Sequence, residues 1–245
     1  MILLLIPVGL LIGGLLNIII IRLPREQRLL GWPRCTRTGA ALAWWQVIPI
    51  LGWLLQRGRA RDGRPIDWIF PFVEVLTTGY LIRLFQLYGG SRPFFYLAFV
   101  GIVLIVTGAI DWLHRFIYTF VILGATLVAL LLGQYAGMGL VTVLLGGLSA
   151  GVGFALLYIL AKILFPGTAA PFGMGDVYLA IFLGIAVGLN HLVDALFYGM
   201  LMAGFVAAAI VIRRRLRPSQ TSSEYLAYGA YLCLGAIFYI AIRGL

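Results

Sequence analysis

The sequence predicts an all-α fold, a polytopic membrane bundle of about eight helices with a cytoplasmic insertion after the first. Two observations carry that prediction. Of the 245 residues, 62% are hydrophobic and only 11% charged, whereas a soluble domain carries about 25% charged residues. Apolar runs long enough to cross about 30 Å of hydrocarbon, roughly 17–25 residues each, recur along the whole chain. They fall at 2–21, 67–88, 94–110, 116–133, 139–161, 177–190, 192–212 and 226–242. The economical reading is a single membrane domain over 1–245 with the insertion at 22–66.

The first run, 2–21, lacks the basic start of a signal peptide and ends at Arg22-Leu23-Pro24, where proline stops a helix. It reads as a retained span, with Asn17 expected to bond another helix. Within the insertion, the stretch from Trp44 to Trp53 is too short to cross and is expected to lie along the interface, where Trp is favoured. The second run carries Glu74. The third ends at Asp111, just before His114 and Arg115, with His114 expected to mark the interface rather than to bond Asp111. The fifth run contains Gly146, Gly147, Gly151 and Gly153, which suit close helix packing. Only Asn190-His191 divides the sixth run from the seventh, and Asp194 follows near the outer face.

Orientation follows from the cations, because short basic loops stay in the cytoplasm. Nine arginines lie in the insertion (Arg22, Arg25, Arg28, Arg34, Arg37, Arg57, Arg59, Arg61 and Arg64). Alternating through eight spans then puts Arg115, Lys162, Arg213, Arg214, Arg215 and Arg217 on the same side, with both termini outside. The net charge of +10 is a topology signal plus attraction to anionic lipid. Nucleic-acid binding is not expected, since no basic soluble domain carries it. Cys35 in the insertion and Cys233 in the last run sit at different depths, so no disulfide is expected. The chain's two histidines, His114 and His191, fall on opposite faces, and no metal site is expected.

Carboxylates are scarce, and an ionisable group at membrane depth usually has a paired or functional role. Asp111 and Asp176 both stand at the cytoplasmic ends of spans. Two carboxyls brought together share a proton, so that one activates water while its protonated neighbour polarises a carbonyl. Gly173 and Gly175 flank Asp176 in Gly173-Met174-Gly175-Asp176, read as a turn, where glycine tolerates positive φ and close approach of another backbone. Bland readings compete: Asp176 as a helix N-cap, and Asp111 paired with Arg115 one turn on. Their common face and the flanking glycines favour catalysis.

With these residues in view, the chain resembles the type IV prepilin peptidases, membrane aspartyl proteases with a Gly-x-Gly-Asp motif. The resemblance runs through Gly13-Gly14-Leu15-Leu16-Asn17 to Arg22-Leu23-Pro24, then Ile48-Pro49-Ile50-Leu51-Gly52-Trp53-Leu54 and Pro71-Phe72-Val73-Glu74. It ends with Tyr228-Gly229-Ala230-Tyr231-Leu232, similar to a Phe-Gly-Pro-Phe-Leu stretch. The resemblance implies cleavage of the leader from type IV prepilin or type II secretion pseudopilin precursors at the cytoplasmic face of the inner (plasma) membrane. Asp111 and Asp176 would be the catalytic pair, with Gly173, Gly175, Tyr178 and Arg115 beside the substrate. It also implies N-methylation with S-adenosylmethionine in many members, to which Glu74 is linked; a structural Glu74, satisfied by a neighbouring helix, is the competing reading.

Departures from the pattern are specific. Family members often carry two Cys-x-x-Cys pairs that hold zinc. Here one reads Trp32-Pro33-Arg34-Cys35 and the other Arg59-Ala60-Arg61-Asp62-Gly63, so zinc is not expected. Tyr178 replaces a usual Lys and Tyr118 a common Pro. Proteolysis itself requires no cofactor. Three functions stay open in descending order: a leader peptidase; the same scaffold without catalysis, as a binding partner in pilus or secretion assembly; and a small transporter, whose inverted repeats are not evident.

Overall fold

The computed structural model describes residues 2–29, 31–33, 41–60, 63–164, 173–216 and 227–245. These form α1 Ile2–Arg22, α2 Leu51–Leu55, α3 Ile69–Tyr88, α4 Arg92–His114, α5 Thr119–Leu132, α6 Leu140–Leu164, α7 Met174–Val187, α8 Leu189–Leu216 and α9 Tyr228–Arg243. Each of the eight predicted runs is a helix, and among the described residues the one β-type pairing is a bridge between Arg59 and Pro65.

Five segments are long and apolar enough to cross a bilayer: Ile2–Arg25, Arg92–His114, Thr119–Ala136, Leu140–Leu164 and Leu189–Arg213. The chain is thus a multi-pass membrane protein. The helices of the other three predicted runs miss that standard for identifiable reasons. In α3, Glu74, Thr77, Thr78, Arg83 and Gln86 dilute the apolar content, whereas α7 and α9, at 14 and 16 residues, are short.

Two compact units divide the chain, Met1–Gly90 and Ser91–Leu245. The first is an antiparallel pair of helices with a packed connection. On α1, Gly9, Gly13 and Asn17 recur every four residues and so share a face. A Cβ on Gly9 would lie 2.7 Å from the Thr78 Cα, and one on Gly13 would lie 2.6 Å from the Glu74 Cα. Only hydrogen fits at either place. One turn further, Asn17 Nδ2 donates to the Phe70 carbonyl at 3.1 Å and to Glu74 Oε1 at 2.9 Å, as its expected helix-bonding role requires. Its Oδ1 is buried without a partner among the described residues.

Between these helices, a 3-10 turn at Trp44–Gln46 leads into α2. The tip of this connection packs against both helices. Pro49 Cγ is 3.2 Å from a Cβ placed on Gly14, and the Ile50 N–H donates to Glu74 Oε2 at 2.6 Å. Ile50 is held at φ 59°, a region that β-branched residues rarely enter. Cys35, Arg34, Arg37, Arg61 and Asp62 lie outside the described residues, as do Arg217 and Glu224.

In the second unit α7 is central, in contact with α5, α6, α8 and α9. Leu179, Ala180, Phe182, Leu183, Ala186 and Val187 are fully buried along it. Its approach to α6 is backbone on backbone: a Cβ on Gly146 would collide with the Gly184 carbonyl oxygen, and a Cβ on Gly184 with that of Gly146. Gly147 and Gly151 seat the Ile185 and Ile181 side chains. Gly199 and Gly235 form a similar crossing of α8 with α9, the small-residue packing that brings membrane helices close. Helix α7 ends at Gly188, whose φ of 72° reverses the chain ahead of the expected break at Asn190-His191. Nearby, the buried Tyr96 hydroxyl donates to the Ala186 carbonyl at 3.0 Å.

Candidate active site

Three helix ends converge on the two aspartates: the C-terminal turn of α4, the N-terminal turn of α7 and the N-terminal turn of α9. Asp111 lies within α4 rather than beyond its end, since the helix runs on to His114. It is 6% exposed, and its Oδ2 accepts the Ala230 N–H at 2.8 Å, with the Gly229 backbone also reaching it. The first amides of a helix have no intrahelical acceptor. Here α9 spends one of them on a carboxylate, the arrangement that helix N-termini favour.

Asp176 is the third residue of α7. Its Oδ2 accepts the Gly173 N–H at 3.0 Å, and its own N–H bonds the Gly173 carbonyl at 3.1 Å. Asp176 therefore takes the acidic position of a capping box rather than the N-cap itself, which is Gly173. The Gly-x-Gly-Asp motif is a helix start, not an open turn. Gly173 has φ −101°, so positive φ does not explain the glycines; close approach does at Gly175, where a Cβ would lie 3.0 Å from the Ile117 Cβ.

Ile117 ties the three ends together. Its Cδ1 lies 3.0 Å from a Cβ placed on Gly229, and the same Cβ would be 3.1 Å from Asp111 Oδ2. A buried isoleucine thus fills the space left by one glycine from α7 and another from α9, beside Asp111. Asp111 and Asp176 lie within electrostatic reach of each other, and both reach the buried Cys233 thiol.

The remaining candidates divide clearly. Arg115 follows α4 with a left-handed φ of 56°, is exposed and acts on Asp111 through its charge; the partner that bonds Asp111 is the α9 backbone. Tyr178 is half-buried two residues beyond Asp176, and His114 is exposed. Glu74 belongs to the first unit. It is 8% exposed, with one oxygen on Asn17 and the other on the Ile50 N–H. Those bonds fit the structural reading of Glu74. No cluster of three metal-ligating side chains occurs among the described residues.

Sequence reasoning misses Ile117, Gly229 and Ala230 as site residues. Gly229 and Ala230 belong to the stretch that carries the resemblance, but a backbone N–H leaves no mark in sequence, and the pattern they resemble has Pro where Ala230 supplies its donor.

Comparison with known proteins covers most of the chain. The description "Bacterial Peptidase A24 N-terminal domain" matches residues 7–88 and "Type IV leader peptidase family" matches residues 98–208. A protein of Myxococcus xanthus named prepilin leader peptidase/N-methyltransferase is 28% identical over 207 residues, covering 83% of this chain and 61% of its own length. Proteins of the same name from Xanthomonas campestris and Bacillus subtilis are 30% identical over 133 residues and 29% over 197. The first of these matches covers 44% of this chain and 46% of the relative, the second 77% and 73%. This chain therefore spans less than two thirds of the first two relatives. No solved structure gave a significant match.

Proposed function

The chain belongs to the peptidase A24, or type IV leader peptidase, family, and from that premise we propose that it is an aspartyl endopeptidase cleaving leaders from type IV prepilin or pseudopilin precursors. The observation that carries the proposal is the convergence of Asp111 and Asp176 within mutual electrostatic reach, each held by backbone N–H groups at a helix start. A carboxylate fixed in this way needs no side-chain partner, which leaves its free oxygen for water. One aspartate takes a proton from that water, and the other, protonated, hydrogen-bonds the scissile carbonyl as it gains negative charge. Neither metal nor cofactor enters this sequence.

In the topology we propose, eight spans with both termini outside, the acids face the cytoplasm. Support comes from the placement of Arg115 just after α4 and of Lys162 and Arg213 near the C-terminal ends of α6 and α8, all ends that this topology puts inside. The leaders the proposal invokes are basic, and a pair of acids is a suitable place to receive the chain that follows them.

Co-expression of the chain with a prepilin-like precursor, followed by mass spectrometry of the product, tests the reading. Leader removal by the wild type, and its loss in Asp111→Asn and in Asp176→Asn, is the expected result. Equal processing by the variants would overturn the assignment of the acids. If no prepilin or pseudopilin precursor is processed by the wild type, the chain is a scaffold without catalysis.

A further inference from the structure

We propose that residues 44–56 form a re-entrant segment, which dips into the cytoplasmic half of the hydrocarbon and returns, with acyl chains of the surrounding bilayer as its partner. The inference is independent of the proteolytic reading. Its basis is depth. Pro49 sits against Gly14 and Ile50 against Glu74, whereas α1 ends at Arg22 and α3 begins at Ile69. At 1.5 Å per residue, the tip lies about 8–12 Å along the helix pair from its cytoplasmic ends.

Irregular backbone at such depth survives only where its polar groups are satisfied from within, and most of the tip meets that condition, although Trp53 Nε1 is buried without a partner among the described residues. Pro49 has no N–H to satisfy. The N–H groups of Leu51 and Gly52 bond the carbonyls of Pro49 and Ile48, those of Gln46 and Val47 bond Ala43 and Trp44, and that of Ile50 bonds Glu74. Two glutamines close the arms of the segment. Gln46 Oε1 accepts the Ala43 N–H, Gln46 Nε2 donates to Gln56 Oε1, and Gln56 Nε2 donates to the Gly52 carbonyl. What remains turned outward is apolar: Trp44 is 72% exposed, Leu51 and Leu54 are each 54% and Leu55 is 65%. Leucines at spacing i, i+3 and i+4 form one exposed apolar face of α2, directly after the tip that Pro49 and Ile50 hold against α1 and α3. The buried Glu74 carboxylate is then the latch that holds the tip down through a strained backbone.

The test uses the full chain, with Cys35 replaced by Ser, in phosphatidylcholine/phosphatidylglycerol vesicles at high lipid-to-protein ratio. Single nitroxide labels at positions 44, 47, 51, 54 and 57 are read by oxygen and by a water-soluble nickel chelate. The expected depth profile is V-shaped, deepest at 51 and shallowest at 44 and 57, with the chelate excluded at 51 and 54. Chelate access at 51 and 54, or a flat profile, would overturn the proposal in favour of a segment lying on the surface. Protection that appears only as protein density rises would overturn it in favour of a second copy as the occupant. Glu74→Ala should flatten the V while Glu74→Gln, which keeps an acceptor, preserves it; an unchanged profile in Glu74→Ala removes the latch.

Discussion

Replacing Gly229 by alanine puts a single methyl at the junction of α4, α9 and Ile117. That methyl would stand 3.0 Å from Ile117 Cδ1, 3.1 Å from Asp111 Oδ2 and 3.3 Å from its Cγ, so the carboxylate must move by a few tenths of an ångström. Its 2.8 Å bond from Ala230 is what that movement breaks. A hydrogen bond to a charged group contributes about 1.5–3 kcal/mol, and each 1.36 kcal/mol of barrier is a factor of ten. The leader-cleavage rate should therefore fall by roughly 10- to 150-fold. Helix propensity acts the other way, since alanine gains about 0.5–1 kcal/mol over glycine in a helix, so thermal stability should change little. Initial rates on a purified precursor, alongside unfolding in detergent, separate the two effects. Gly153→Ala is the control, because nothing lies within 4 Å of its added methyl; it should keep full activity and unfold slightly later. A wild-type rate in Gly229→Ala would refute the claim that Asp111 must be held where α9 places it.

Gly184→Ala drives a methyl into the Gly146 backbone and should separate α6 from α7, abolishing the cooperative unfolding transition or preventing accumulation of the protein. Tyr96→Phe removes a buried donor and leaves the Ala186 carbonyl without it, a loss of about 1–3 kcal/mol, readable as a lower unfolding midpoint with leader cleavage retained. Asn17→Ala withdraws one donor from Glu74 and one from the Phe70 carbonyl; denaturant unfolding should show destabilisation of about 1–3 kcal/mol, largest if both acceptors stay dry.

The helices were legible because apolar length is written directly in composition, and each expected run does form a helix. Their ends were less so. Asp111 reads as an interfacial residue because a charge closes an apolar run, yet the α4 backbone continues to His114. Conversely, the break before α8 falls at Gly188, where φ is 72°, although polarity pointed to Asn190-His191. The aspartates could be nominated from scarcity and topology. What holds them could not, because the Gly173 and Ala230 donors are main-chain groups, alike in every residue but proline. Ile117 was hidden for a related reason: an isoleucine in an apolar sequence stands out only once Gly175 and Gly229 are seen to make room for it. The contact of the Trp44–Trp53 stretch with α3 was not legible either, since sequence gives no hint that Glu74 reaches Ile50.

Helix α7 covers 14 residues, so it extends about 21 Å, roughly 9 Å less than the hydrocarbon of a typical bilayer. Asp176, in its first turn, lies five residues from Ile181, whose partner Gly151 stands thirteen residues before α6 ends at Leu164, so the acid is set back roughly 12 Å from the end of that neighbour. Hydrolysis inside a greasy medium is commonly posed as a problem of water delivery. A setback of that size would let water reach the acids without a conduit.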